Sequence, residues 1–80
     1  MSELISKVKK AVSDVFGVPL EEVTEDTTSD MVPTWDSFNT INLLMVLESD
    51  FHVNLTPDDA RDMLSVKLII ELLRERGATG

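Results

Sequence analysis

Pro33-Thr34-Trp35-Asp36-Ser37-Phe38-Asn39-Thr40-Ile41-Asn42 is where the chain passes from a turn-rich, acidic connection into its longest apolar-periodic segment. Asp36 carries the short side-chain acceptor favoured just ahead of a helix, and its charge suits a helix N-terminus. It reads as an N-cap whose carboxylate accepts from the N–H of Phe38 or Asn39. Ser37 beside it sets a hydroxyl among free backbone N–H groups, a place suited to holding an anion and attaching it covalently. Taken alone, a Ser next to an N-cap Asp more often means capping than function.

Working outward, the helix opened by Ser37 runs to about Phe51. Phe38, Ile41, Leu43, Leu44, Met45, Val46, Leu47 and Phe51 cover more than one stripe, so this helix either lies centrally or shows apolar residues to a partner. Leu43, Leu44, Leu47 and Phe51 are assigned to the core together with Ile70. Phe38, Ile41 and Met45 are assigned to an apolar docking patch bordering the serine. Upstream, Leu4, Ile5, Val8, Val12, Val15 and Phe16 recur at helical spacing, with Ser2 as N-cap and Gly17 as stop. Pro19 forbids continuation. Residues 17–36 then form a long connection with room for a single turn near 20–23, pinned to the core through Leu20, Val23, Met31 and Val32. A loop this long in a small domain is more often functional than a short one.

Downstream, Thr56-Pro57-Asp58-Asp59 is a strong helix start, giving a short helix over about 57–63 with Ala60 and Met63 facing in. Ser65 caps a last helix reaching about Glu75, and Gly77 ends it. The fold class is therefore all-α: a small bundle of three main helices plus one short helix, with a long loop between helices 1 and 2. Residues 1–80 form a single domain.

Composition narrows the function. The chain has no Cys and a formal net charge of −8. From Asp14 to Asp62 there are twelve acids and one base, Arg61. Such a field repels nucleic acid and anionic lipid and steers basic protein surfaces toward the domain. No signal-peptide pattern and no membrane-spanning stretch is present, so a cytoplasmic monomer without membrane insertion is expected. Ser37, Asp36 and the single His52 supply the residue types of a hydrolytic triad. On one continuous helix, however, fifteen residues separate Ser37 from His52, roughly 22 Å at 1.5 Å per residue, beyond hydrogen-bond reach. The acidic runs at 21–26 and 58–62 lack the ligand alternation and central Gly of a calcium loop and read as solvated faces and helix-start charges. No Gly-rich phosphate loop is present. An enzyme is not expected.

Trp35-Asp36-Ser37-Phe38, followed by Ile41, Leu43-Leu44-Met45-Val46-Leu47-Glu48 and Phe51, resembles the attachment motif of acyl carrier proteins. Val8-Lys9-Lys10, Phe16-Gly17-Val18, Glu21-Glu22-Val23-Thr24 and Thr56-Pro57-Asp58-Asp59 extend the resemblance over nearly the whole chain. The resemblance implies 4′-phosphopantetheine, from coenzyme A, on Ser37, with Asp36 as motif residue and cap. It implies a carrier of acyl thioesters, in a specialised lipid, polyketide or similar biosynthetic pathway. Its partners would be a phosphopantetheinyl transferase and acyl-loading and acyl-using enzymes with basic surfaces, docking on Trp35, Phe38, Ile41, Met45 and Glu48. The chain departs from the family pattern at Trp35, Phe38, Asn39 and Asn42, the last two at positions often acidic in fatty-acid carriers. An aminoacyl carrier of the D-alanyl or peptidyl kind, or an unmodified helical interaction module, is the alternative.

Overall fold

The computed structural model of the chain describes residues 3–78. Four α-helices and no β-strand occur among the described residues: α1 Glu3–Phe16, α2 Ser37–Phe51, α3 Pro57–Arg61 and α4 Val66–Glu75. This is the expected all-α bundle of three main helices and one short one. The proposed cap Ser2 lies outside the described residues. No helix among them is long and apolar enough to cross a membrane.

α1 and α4 form where the sequence places one apolar stripe at helical spacing. In α1 the buried residues are Leu4, Val8, Ala11, Val12 and Phe16; in α4 they are Val66, Ile69, Ile70, Leu72 and Leu73. α1 packs against both α2 and α4, and α2 also against α3. Leu43, Leu47, Ile69 and Leu73 are wholly enclosed at the centre. Burying each such side chain contributes about 1.5–3 kcal/mol. The five core residues expected from the sequence, Leu43, Leu44, Leu47, Phe51 and Ile70, are all buried.

Local signals set the ends. Thr56 and Ser65 accept the N–H groups of Asp59 and Leu68, capping α3 and α4. At the end of α1, Gly17 takes φ +70°, and the N–H groups of Gly17 and Val18 both return to the carbonyl of Ser13. A methyl group at Gly17 would meet no neighbour, so an alanine there is opposed by backbone conformation alone. Gly17→Ala should therefore lower stability by roughly 1–2 kcal/mol in urea unfolding; an unchanged midpoint would mean that this turn is not formed.

The connection between α1 and α2 is built from two 3₁₀ turns, Leu20–Glu22 and Ser29–Met31. The first was legible in the sequence; the second was not. Val23 and Val32 are buried as expected, but Leu20 and Met31 are not, Met31 being 66% exposed. The reason is geometric. Each turn wraps once over the surface, and only the extended residue that closes it, Val23 or Val32, drops inward.

Two backbone bonds then fasten the loop to the α3–α4 link: Ser29 N–H to Leu64 O at 2.9 Å and Val66 N–H to Thr27 O at 3.0 Å. They make an isolated antiparallel bridge between Thr28 and Ser65. α3 ends at Arg61 and not at Met63: the N–H groups of Asp62 and Met63 reach back only three residues, to Asp59 and Ala60, and beyond them the carbonyls of Met63 and Leu64 accept from Trp35 and Ser29.

Candidate functional site

Thr34, Trp35, Asp36, Asn39 and Thr40, on either side of Ser37, are each held by a side-chain hydrogen bond. Thr34 Oγ1 donates to the Phe16 carbonyl at 2.7 Å, which fixes the end of the loop to the end of α1. The Trp35 indole N–H donates to the Met63 carbonyl at 3.1 Å, which fixes it to the end of α3. Asp36 is extended at φ −109°, ψ 178°, and its Oδ1 accepts the Asn39 N–H at 2.8 Å. That is the capping bond expected from the sequence, made to the second of the two candidate donors. The Asp36 carbonyl accepts both the N–H and the hydroxyl of Thr40, at 2.9 and 2.7 Å.

Ser37 is the first residue of α2. Its side chain is exposed and makes no hydrogen bond among the described residues. Because Asp36 has taken the cap, the hydroxyl is left over. It opens onto a cleft of about 600 Å³ between the N-terminal turn of α2 and α3. Ile41, Met63 and Leu64 make the cleft part apolar; Ser29, Thr40 and Arg61 make it part polar.

Phe38 and Met45 are 76% and 60% exposed, and Ile41 is 39% exposed. At positions i, i+3 and i+7 they share one stripe, on the side of α2 away from its buried residues Thr40, Leu43, Leu44, Leu47 and Phe51. Three of the five expected docking residues are thus brought together at the surface.

Trp35 does not join them. It is only 7% exposed and stacks on Phe16 with ring centroids 4.7 Å apart. The indole forms the floor of the cleft, so its expected docking role is corrected to a structural one. Glu48 is half-buried, and its Oε2 accepts the Leu55 N–H at 3.2 Å. The chain doubles back after α2, with His52 in the left-handed region at φ +55°, and so brings Leu55 to Glu48. Glu48 is first an internal tie.

Asn39 has a geometric task as well. Its Nδ2 donates to the Thr34 carbonyl at 2.8 Å, while its Oδ1 receives Asn42 Nδ2 at 3.4 Å. A carboxylate at 39 could not donate to Thr34, which is a reason for an amide here.

His52 is exposed at the far end of an unbroken α2, so it does not meet Ser37. Among the described residues no group of three or more metal-ligating side chains is assembled. One acidic residue departs from the solvated reading. Asp59 is 6% exposed, accepts the N–H of Thr56 at 2.9 Å and pairs with Arg76. The Thr56 bond, and then Arg76, hold its carboxyl below the ordinary aspartate range against the opposing effect of burial. Arg61, in the sequence simply the one base of the 14–62 segment, lines the cleft, a place set by where α3 lies beside α2. No family model matches the chain.

Proposed function

We propose that this protein is a carrier that bears 4′-phosphopantetheine on Ser37 and presents acyl groups to partner enzymes of a specialised biosynthetic pathway. One observation carries the reading: the Ser37 hydroxyl is exposed and unbonded beside a cleft, because Asp36 alone does the capping. The residues present fit the group. A phosphodiester on Ser37 lies at the N-terminus of the fifteen-residue α2, where the dipole and first-turn N–H groups favour an anion. A cleft of mixed lining suits an arm of amides and methylenes. When attached, the group supplies a thiol that holds an acyl chain as a thioester.

The chain's own part is to hold and present. With His52 at the opposite end of α2, a base on the transferase would take the proton of Ser37 Oγ as that oxygen attacks the pyrophosphate of coenzyme A; the new P–O bond to serine replaces the one to adenosine 3′,5′-bisphosphate, which leaves. The exposed stripe Phe38–Ile41–Met45 gives that enzyme an apolar contact beside the hydroxyl, and the acidic field orients its basic surface.

Co-expression with a broad-specificity phosphopantetheinyl transferase, followed by intact-protein mass spectrometry, tests the reading. Wild type should gain one phosphopantetheine and Ser37→Ala none. A wild type that stays unmodified would leave the alternative, a helical interaction module whose exposed stripe binds a partner without a prosthetic group. Met45→Asp should slow modification several-fold, since hot-spot apolar contacts carry roughly 1–2 kcal/mol or more, while the helical CD signal holds. An unaltered rate would remove this stripe from the transferase contact.

A further inference from the structure

Arg61 is the only base among thirteen charged Asp, Glu, Lys and Arg residues between Asp14 and Asp62, and it lines the same cleft as Ser37. It ends α3, its side chain is exposed, and it makes no hydrogen bond or ion pair among the described residues, not even with Asp58 or Asp62 close by in the chain. The other cations near that end of the fold are differently placed. Arg76 is engaged by Asp59, and Lys67 and Arg74 belong to α4 and do not line the cleft. A phosphodiester on Ser37 would add a permanent negative charge next to Asp36, within the acid-rich 14–62 segment. The one group across the cleft that can offset it is a guanidinium, which stays charged and presents paired donors to phosphate oxygens.

We propose that Arg61 is a positioning residue for the phosphodiester: it pairs with the phosphate on Ser37 and turns the attached arm into the cleft and away from solvent. This rests on the reading of Ser37 as the attachment point. In the unmodified protein the guanidinium has no partner among the described residues to hold it, so the pair forms only after modification.

The test compares modified wild type with modified Arg61→Gln, Arg61→Lys and Lys67→Gln, the last removing an equal charge from an exposed site off the cleft. Intact mass is measured first, then the phosphorus-31 resonance and its response to added salt. Arg61→Gln should shift the resonance and lose its salt dependence, Arg61→Lys should restore part of both, and Lys67→Gln should match wild type. The terminal thiol should also react with a small alkylating reagent roughly two- to fivefold faster in Arg61→Gln, the range an exposed ion pair supports. A modified Arg61→Gln indistinguishable from Lys67→Gln in resonance and thiol rate overturns the role of Arg61 and leaves Ser37 standing. A wild type that gains no mass overturns both.

Discussion

Trp35→Ala should cost about 3–5 kcal/mol in urea or thermal unfolding, which in a chain this small approaches the whole of its stability. The side chain is almost wholly enclosed. It stacks on Phe16 at an interplanar angle of 20° and holds the Met63 carbonyl through its indole nitrogen. Removing it therefore empties the floor of the cleft and takes away the side-chain tie to Met63, leaving only the backbone bonds at Leu64 and Thr27 to hold the loop there. Trp35→Phe separates the two contributions. It keeps most of the stacking but leaves the Met63 carbonyl without its donor, a loss of about 1–3 kcal/mol. If both variants unfolded at the wild-type midpoint, the indole would not be packed as described, and the placing of Ser37 beside α3 would fall with it.

Asp59→Ala is expected to cost about 2 kcal/mol near neutral pH, the upper end for a lost cap, because two interactions go together. The Thr56 N–H loses its acceptor, and Arg76 loses its partner. The sign of the pH dependence follows from the direction of the shift. The folded carboxyl ionises below its ordinary range, so its contribution is complete above about pH 4 and fades as pH falls through the folded value. Wild type and Asp59→Ala should accordingly differ most at neutral pH and converge in acid. Curves that stayed parallel down to strongly acidic pH would mean that Asp59 is not the ionised partner of Thr56 and Arg76.

What could be read in advance follows the range of the interactions. Asp36, Thr56 and Ser65 announce helix starts because a cap bond spans three residues, and Gly17 announces a stop because a left-handed turn is a local requirement. The buried face of α2 is legible for the same reason, since helical spacing is local. Trp35 was misread because burial of an aromatic just ahead of a cap depends on Phe16 and Met63, both distant in the chain. Asp59 and Arg76 lie seventeen positions apart, so the pair is hidden within what looks like an ordinary acidic helix start. Leu20 and Met31 show the same limit from the other side. An apolar residue in a 3₁₀ turn carries no periodicity to say which way it faces. At Ser37 the local half, cap and free hydroxyl, was readable; the cleft and Arg61 depend on where α3 comes to rest.

The ties between the long loop and the α3–α4 link bear on the order of folding. The Trp35–Met63 bond joins positions twenty-eight apart, and closing a chain loop of that length costs about 3 kcal/mol of entropy before any contact offsets it. Helical turns, by contrast, close over four residues and form early. α1, α2 and α4 can thus acquire their shape while the end of the molecule holding Ser37 is still open. In that order Ser37 gains its walls late, and under the proposed carrier role a transferase that reads the serine together with those walls would discriminate against chains that have not finished folding.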